Sequence, residues 1–186
     1  GQTNSGNFDA FISKYNPDGT KDWTRVLGGS SYDYGVALTT GSDGAIYIAG
    51  ETEGDLDGQT NSGEEDSFIS KFNPDGSKEW TKLLGTSDWD SGRVLTTGSD
   101  GSIYIVGFTS GNLDGQNNNG GGDAFISKYN PDGTKEWTRL LGSSSTDLGY
   151  ALTTGSDGAI YIAGVADSGD REGNAVYYDA FISKYN

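Results

Sequence analysis

The chain has 186 residues, 27 of them Asp or Glu against 12 Lys or Arg, for a formal charge of −15 with no His and no Cys. This composition excludes a Ser-His-Asp or Cys-His nucleophile, the usual His/Cys zinc site, histidine-ligated haem and a disulfide framework. The acidic balance also repels phosphate backbones and anionic lipid surfaces, so neither nucleic-acid binding nor membrane insertion is expected, and hard cations or neutral ligands are the natural partners.

Glycine is abundant, at 31 residues, yet 12% of the chain is aromatic. Disordered segments are poor in aromatics, so the chain reads as a folded, loop-rich β protein. No apolar run approaches the roughly 18 residues of a membrane span, and there is no signal-peptide pattern. The sequence reads as a mature form or an excerpt from a longer chain.

The segment Asp9-Ala-Phe-Ile-Ser-Lys-Tyr-Asn-Pro-Asp-Gly-Thr-Lys21 returns with small changes at Asp66 and at Asp123, each 57 positions further on, and a last partial copy begins at Asp179. Trp23, Trp80 and Trp137 keep the same step, as do Asp33, Asp90 and Asp147. A repeat of this kind decides the architecture before any single element does.

Each period predicts four short strands. Gly35 to Thr40 is followed by the turn Ser42-Asp43-Gly44 and the β-rich run Ala45 to Gly50. After a long polar loop come Ser67 to Phe72, the turn Asn73-Pro-Asp-Gly76, and Lys78 to Leu84. Pro at the second and Gly at the fourth turn position suit a type I turn, and no window carries helical periodicity. The fold class is therefore all-β, built of tandem four-stranded antiparallel propeller-type blades. The expected division is a partial blade over 1–32, blades over 33–89 and 90–146, and a partial blade over 147–186. About three and a quarter repeats are fewer than the roughly four to eight blades of a closed propeller, so closure by this chain alone is not expected.

The two halves of the motif recur in order: Asp-Ala-Phe-Ile-Ser-Lys-Tyr-Asn-Pro-Asp-Gly-Thr-Lys-x-Trp-Thr-Arg, then Ala-Leu-Thr-Thr-Gly-Ser-Asp-Gly-x-Ile-Tyr-Ile-Ala-Gly. This resembles the bacterial β-propeller repeat family of cyanobacterial-type secreted and surface proteins. The resemblance implies blade-like repeats and an extracellular or cell-surface setting. It carries over no catalytic residues.

The loop before Asp66 places oxygen side chains at Asp55, Asp57, Gln59, Asn61 and Asp66, which is the ligand spacing of a calcium loop. Its sixth residue is Thr60 where an EF-hand needs glycine. Asp114, Asn118 and Asp123 occupy the equivalent places in the next copy, and Asp170, Asn174 and Asp179 in the last. Two readings stand: these residues bind Ca²⁺, or they satisfy backbone groups of the turns. Trp23, Trp80 and Trp137 read as packing between blades. Trp89, which has Tyr32 and Thr146 at the equivalent positions, has two readings, an exposed platform for a sugar ring or a partner and an idle surface aromatic.

The recurring Asp residues offer no asymmetric acid/base pair, so enzymatic activity is not expected. The sequence points instead to a non-catalytic extracellular structural scaffold. It self-assembles with other copies or adjacent repeats through its incomplete terminal blades, and calcium stiffens its long loops. The alternative is a calcium-dependent propeller that binds polysaccharide or a surface protein in adhesion.

Overall fold

The computed structural model describes residues 3–167 and 178–185. Thirteen strands and no helix occur among them. β1 (Ala10–Tyr15) and β2 (Lys21–Leu27) form a hairpin. β3 (Asp33–Thr40), β4 (Ile46–Thr52), β5 (Asp66–Phe72) and β6 (Lys78–Leu84) make one four-stranded sheet in that order. β7 (Asp90–Thr97), β8 (Ile103–Thr109), β9 (Asp123–Tyr129) and β10 (Lys135–Leu141) make a second. β11 (Asp147–Thr154), β12 (Ile160–Asp167) and β13 (Tyr178–Tyr185) make a three-stranded third. All pairings within these sheets are antiparallel, and the sheets do not close into a barrel.

The turns form as their residues dictate. Gly76 N–H donates to the Asn73 carbonyl at 2.8 Å and Gly133 N–H to Asn130 at 2.9 Å, closing the Pro-Asp-Gly turns. Gly76 and Gly133 have φ of 80° and 83°, which favours glycine there. The absence of a side chain serves a second purpose. A Cβ on Gly76 would lie 2.8 Å from the Trp23 ring and one on Gly133 3.0 Å from Trp80, so each indole lies against the turn of the following blade. Trp23 Nε1 then donates to the Pro74 carbonyl at 3.3 Å and Trp80 Nε1 to Pro131 at 3.2 Å. Trp23 and Trp80 thus each clamp one blade to the next.

Apolar packing follows the same plan. Tyr47, Ile69 and Leu84 of one sheet meet Ile103, Ile105 and Phe125 of the next, all almost fully buried. A second core joins the β1–β2 hairpin to Ile48, Phe68 and Phe72, and a third joins Tyr104, Val106 and Ile126 to Ile160 and Ile162. A four-stranded sheet has two faces to cover, and stacking against neighbours covers both. β5 accordingly is buried at every position.

Candidate functional site

β3, β5, β7, β9 and β11 each begin with a buried aspartate. Asp66 Oδ2 accepts from Ser62 N–H at 2.9 Å, Asp90 Oδ2 from Thr86 N–H at 2.6 Å, Asp123 Oδ2 from Asn119 N–H at 3.2 Å and Asp147 Oδ2 from Ser143 N–H at 2.6 Å. The acceptor always sits four residues after the donor, so each carboxylate closes the turn that leads into its strand. Asp66, Asp90 and Asp123 are 0% exposed, and one oxygen of each lacks a hydrogen-bond partner. Burial raises the carboxyl pKa of all three, opposed by the turn donors. For Asp66 and Asp123 the bare oxygen presses on Gly85 and Gly142, where a Cβ would come within 2.1 Å.

The first two long loops hold other residues whose spacing suggested calcium, and Asp55, Asp57, Asn61, Asp114 and Asn118 each have a protein partner there. Asp55 Oδ1 accepts from Asn61 N–H at 2.9 Å. Asn61 donates to the Thr52 carbonyl at 3.0 Å and accepts from Gly63 N–H at 2.7 Å. Asp57, at φ 52°, pairs with Lys78 and accepts from the Thr81 hydroxyl. The next copy repeats this: Asp114, at φ 51°, pairs with Lys135 at 2.5 Å, and Asn118 donates to the Thr109 carbonyl at 3.2 Å.

An apolar plug completes each loop. Leu56 and Leu113 are 0% and 1% exposed within the blade cores. Among the described residues no three carboxylates gather at a spacing that would hold a metal ion. Asp179 lies on β13 opposite Ala166, and Asp170 and Asn174 fall outside the described residues.

Trp89 has a different setting. It is 57% exposed and lines an open cleft of about 560 Å³ with Glu53, Glu64 and Glu65. The backbone brings these together at the junction of two blades. Glu65 and Trp89 form a parallel bridge, Asp90 N–H donates to the Glu65 carbonyl at 2.8 Å, and Ser110 N–H to Trp89 at 2.8 Å. Glu51 stands beside them and accepts from the buried Ser91 hydroxyl. Burial, followed by the charges of Glu51 and Glu53, pushes the Glu65 carboxyl up to about 7, and Arg93 opposes this. Arg93 itself lies over the Tyr150 ring, 5.8 Å from its centre.

Residues 41–79 and 98–136 match the family model described as a domain of unknown function (DUF5122), beta-propeller. The repeats are propeller-type blades in fold, and two of them match this family model. The chain is also similar to the regulatory protein FlaEY of Caulobacter vibrioides, at 30% identity over 162 residues, covering 79% of this chain and 17% of that protein. An uncharacterised WD repeat-containing protein of Acanthamoeba polyphaga mimivirus is 24% identical over 179 residues, covering 80% of this chain and 13% of its own length. The chain thus spans less than a fifth of either relative.

Of the residues singled out from sequence, only Trp89 lies in the cleft. The glutamates that join it do not recur from copy to copy. Glu51 is replaced by Phe108 and Val165 in the later copies, Glu53 by Ser110 and Asp167, and Glu65 by Gly122. Departures from the repeat, rather than the repeat itself, carried the signal.

Proposed function

We propose that this chain is a non-catalytic binding section of a β-propeller, in which the repeats are the scaffold and the cleft at the Glu65–Trp89 junction is the ligand site. The observation that carries this reading is asymmetry. Three equivalent bridges join the blades, at Phe8 and Tyr32, Glu65 and Trp89, and Gly122 and Thr146, and the exposed indole with its glutamates occurs at one of them. Architecture accounts for groups that repeat, and a ligand accounts for polar and aromatic groups placed once in a concave site. The recurring aspartates are occupied with turn hydrogen bonds, which supports a non-catalytic role. The test is a screen of saccharides, amines and peptides followed by tryptophan fluorescence and calorimetry. A ligand whose calorimetric binding heat disappears in Trp89→Ala, with an unchanged melting temperature, supports the site; a panel with no Trp89-dependent binding removes it.

A scaffold that assembles through its sheet edges is favoured by a separate observation. Among the described residues β1 pairs with β2 alone, and its Phe11 and Tyr15 are 66% and 61% exposed. Open strand edges add further strands, from other repeats or another copy. Light scattering that reports a monomer at every concentration would remove assembly between copies. An extracellular or surface location belongs to the same proposal and rests on the resemblance of the repeats to bacterial surface proteins. Surface proteolysis of intact source cells tests it. The carboxylates and amides of the long loops are hard-cation donors already engaged with protein partners, and a calcium titration decides whether they also hold an ion.

A further inference from the structure

We propose that the Trp89 cleft takes an organic cation, a guanidinium or alkylammonium group on an aliphatic stem. This rests on the binding reading above and names its ligand class. The first ground is the chemistry of the walls. An indole face exposed beside carboxylates offers a cation both the ring quadrupole and charge-assisted hydrogen bonds, while the ring surface covers the stem.

The second ground is that, among the described residues, no ion pair engages the glutamates around the cleft. The ion pairs of the described residues engage Lys14, Lys71, Lys78, Lys128, Lys135 and Lys184, and none reaches Glu51, Glu53, Glu64 or Glu65. Arg93, whose charge reaches Glu65, makes no ion pair with it and has its guanidinium 5.8 Å from the centre of the Tyr150 ring. A concave site lined by one sign of charge concentrates the opposite sign.

The third ground is shape. The carboxylates surround a space of about 560 Å³, within the range of small-ligand clefts. They are not drawn into a cluster of three that would chelate a metal. A hard metal ion wants about six to eight close oxygens and gains nothing from an indole, whereas an organic cation of several ångströms meets dispersed carboxylates and a ring together.

The test titrates the 186-residue chain at low ionic strength with three probes, followed by tryptophan fluorescence and calorimetry. They are agmatine, the blocked tripeptide acetyl-Gly-Arg-Gly-amide, and the neutral saccharide cellotetraose. Agmatine or the peptide is expected to give a saturable change, lost in Trp89→Ala and weakened about tenfold in the double variant Glu53→Gln, Glu64→Gln, a decrement typical of removed charge-assisted contacts. Raised salt weakens it further. Tighter binding of the peptide assigns the cation to a protein side chain, and tighter binding of agmatine to a free amine; both uphold the proposal.

Trp89-dependent binding of cellotetraose without agmatine or peptide binding overturns the cation and leaves the binding site standing. No saturable change with any probe overturns the cation proposal, and the wider ligand screen then decides the site itself. Melting curves of the variants report their folding independently.

Discussion

Two blade junctions share one backbone and differ in nearly every side chain above it. At the first, Glu65 and Trp89 bridge, with Asp90 N–H on the Glu65 carbonyl at 2.8 Å; at the second, Gly122 and Thr146 bridge, with Asp147 N–H on the Gly122 carbonyl at 2.9 Å. The following bonds match too, Ser110 to Trp89 at 2.8 Å and Asp167 to Thr146 at 3.1 Å. The backbone ladder and the buried aspartate below it are therefore common to both junctions. What projects above them differs, and at one junction it is an exposed indole among glutamates.

The most severe way to break the comparison is through the cores, which should be equivalent at every complete junction. Phe68→Ala and Phe125→Ala, at 0% and 1% exposure, are each expected to destabilise by about 3–5 kcal/mol in denaturant unfolding. Phe11→Ala, at the same place in the motif but 66% exposed, is expected to lose less than about 1 kcal/mol. Similar losses at all three would show that β1 is covered.

Next in size are the turn-closing aspartates. Asp90→Ala strands the Thr86 N–H and hydroxyl, and Asp147→Ala the Ser143 N–H and hydroxyl. Each should lose about 1.5–3 kcal/mol, the range for hydrogen bonds to a charged group. A loss confined to Asp90 would place it in the ligand site rather than in the ladder.

A smaller effect, and one that separates the junctions, is the response to pH. The folded Glu65 pKa of about 7 lies above the ordinary 4.5, so the folded state takes up its proton first as pH falls. Stability contributed by this group is therefore absent at about pH 8, rises as pH falls through 7, and is complete below about 4.5. Asp66, Asp90 and Asp123, also raised, act in the same direction at lower pH. Asp18, Asp75 and Asp132, held low by their turn donors, act in the opposite sense, since their stabilisation is lost in strong acid. The melting temperature is expected to rise from about pH 8 to about pH 5 and to fall in stronger acid. Glu65→Gln should flatten the part between about pH 8 and 6, and an unchanged profile would contradict the placement of Glu65.

The smallest expected effect concerns the long loops, which are alike in the two complete blades. Because Leu56 and Leu113 are buried and Asp57 and Asp114 are paired with lysines, the loops have a source of order without an ion. Millimolar Ca²⁺ added to chelator-treated protein is expected to shift the melting temperature by less than about 1 °C, since a ligand stabilises only as far as it favours the folded state. A rise of several degrees with heat in calorimetry would establish calcium in these loops.

The period, the strand positions and the hairpin turns were legible because they rest on local chemistry: Pro-Asp-Gly and Ser-Asp-Gly turns, and alternating β-rich runs, act within a few residues of themselves. The calcium spacing was equally visible, but spacing does not say which way a side chain points. Asp57 turned to Lys78 and Asn61 to the Thr52 carbonyl, partners 21 and 9 residues away.

The cleft was beyond local reading for the same reason, since Glu65 and Trp89 meet only when one sheet stacks on the next. The motif Ala-Phe-Ile-Ser-Lys-Tyr stands in both β1 and β9, yet its phenylalanine is 66% exposed at Phe11 and 1% at Phe125. The sequence by itself determined that each segment would be a strand and which residues would lie on one face. The tertiary structure decided which faces are covered and which oxygens lose water, because burial depends on the neighbouring blade and not on the segment.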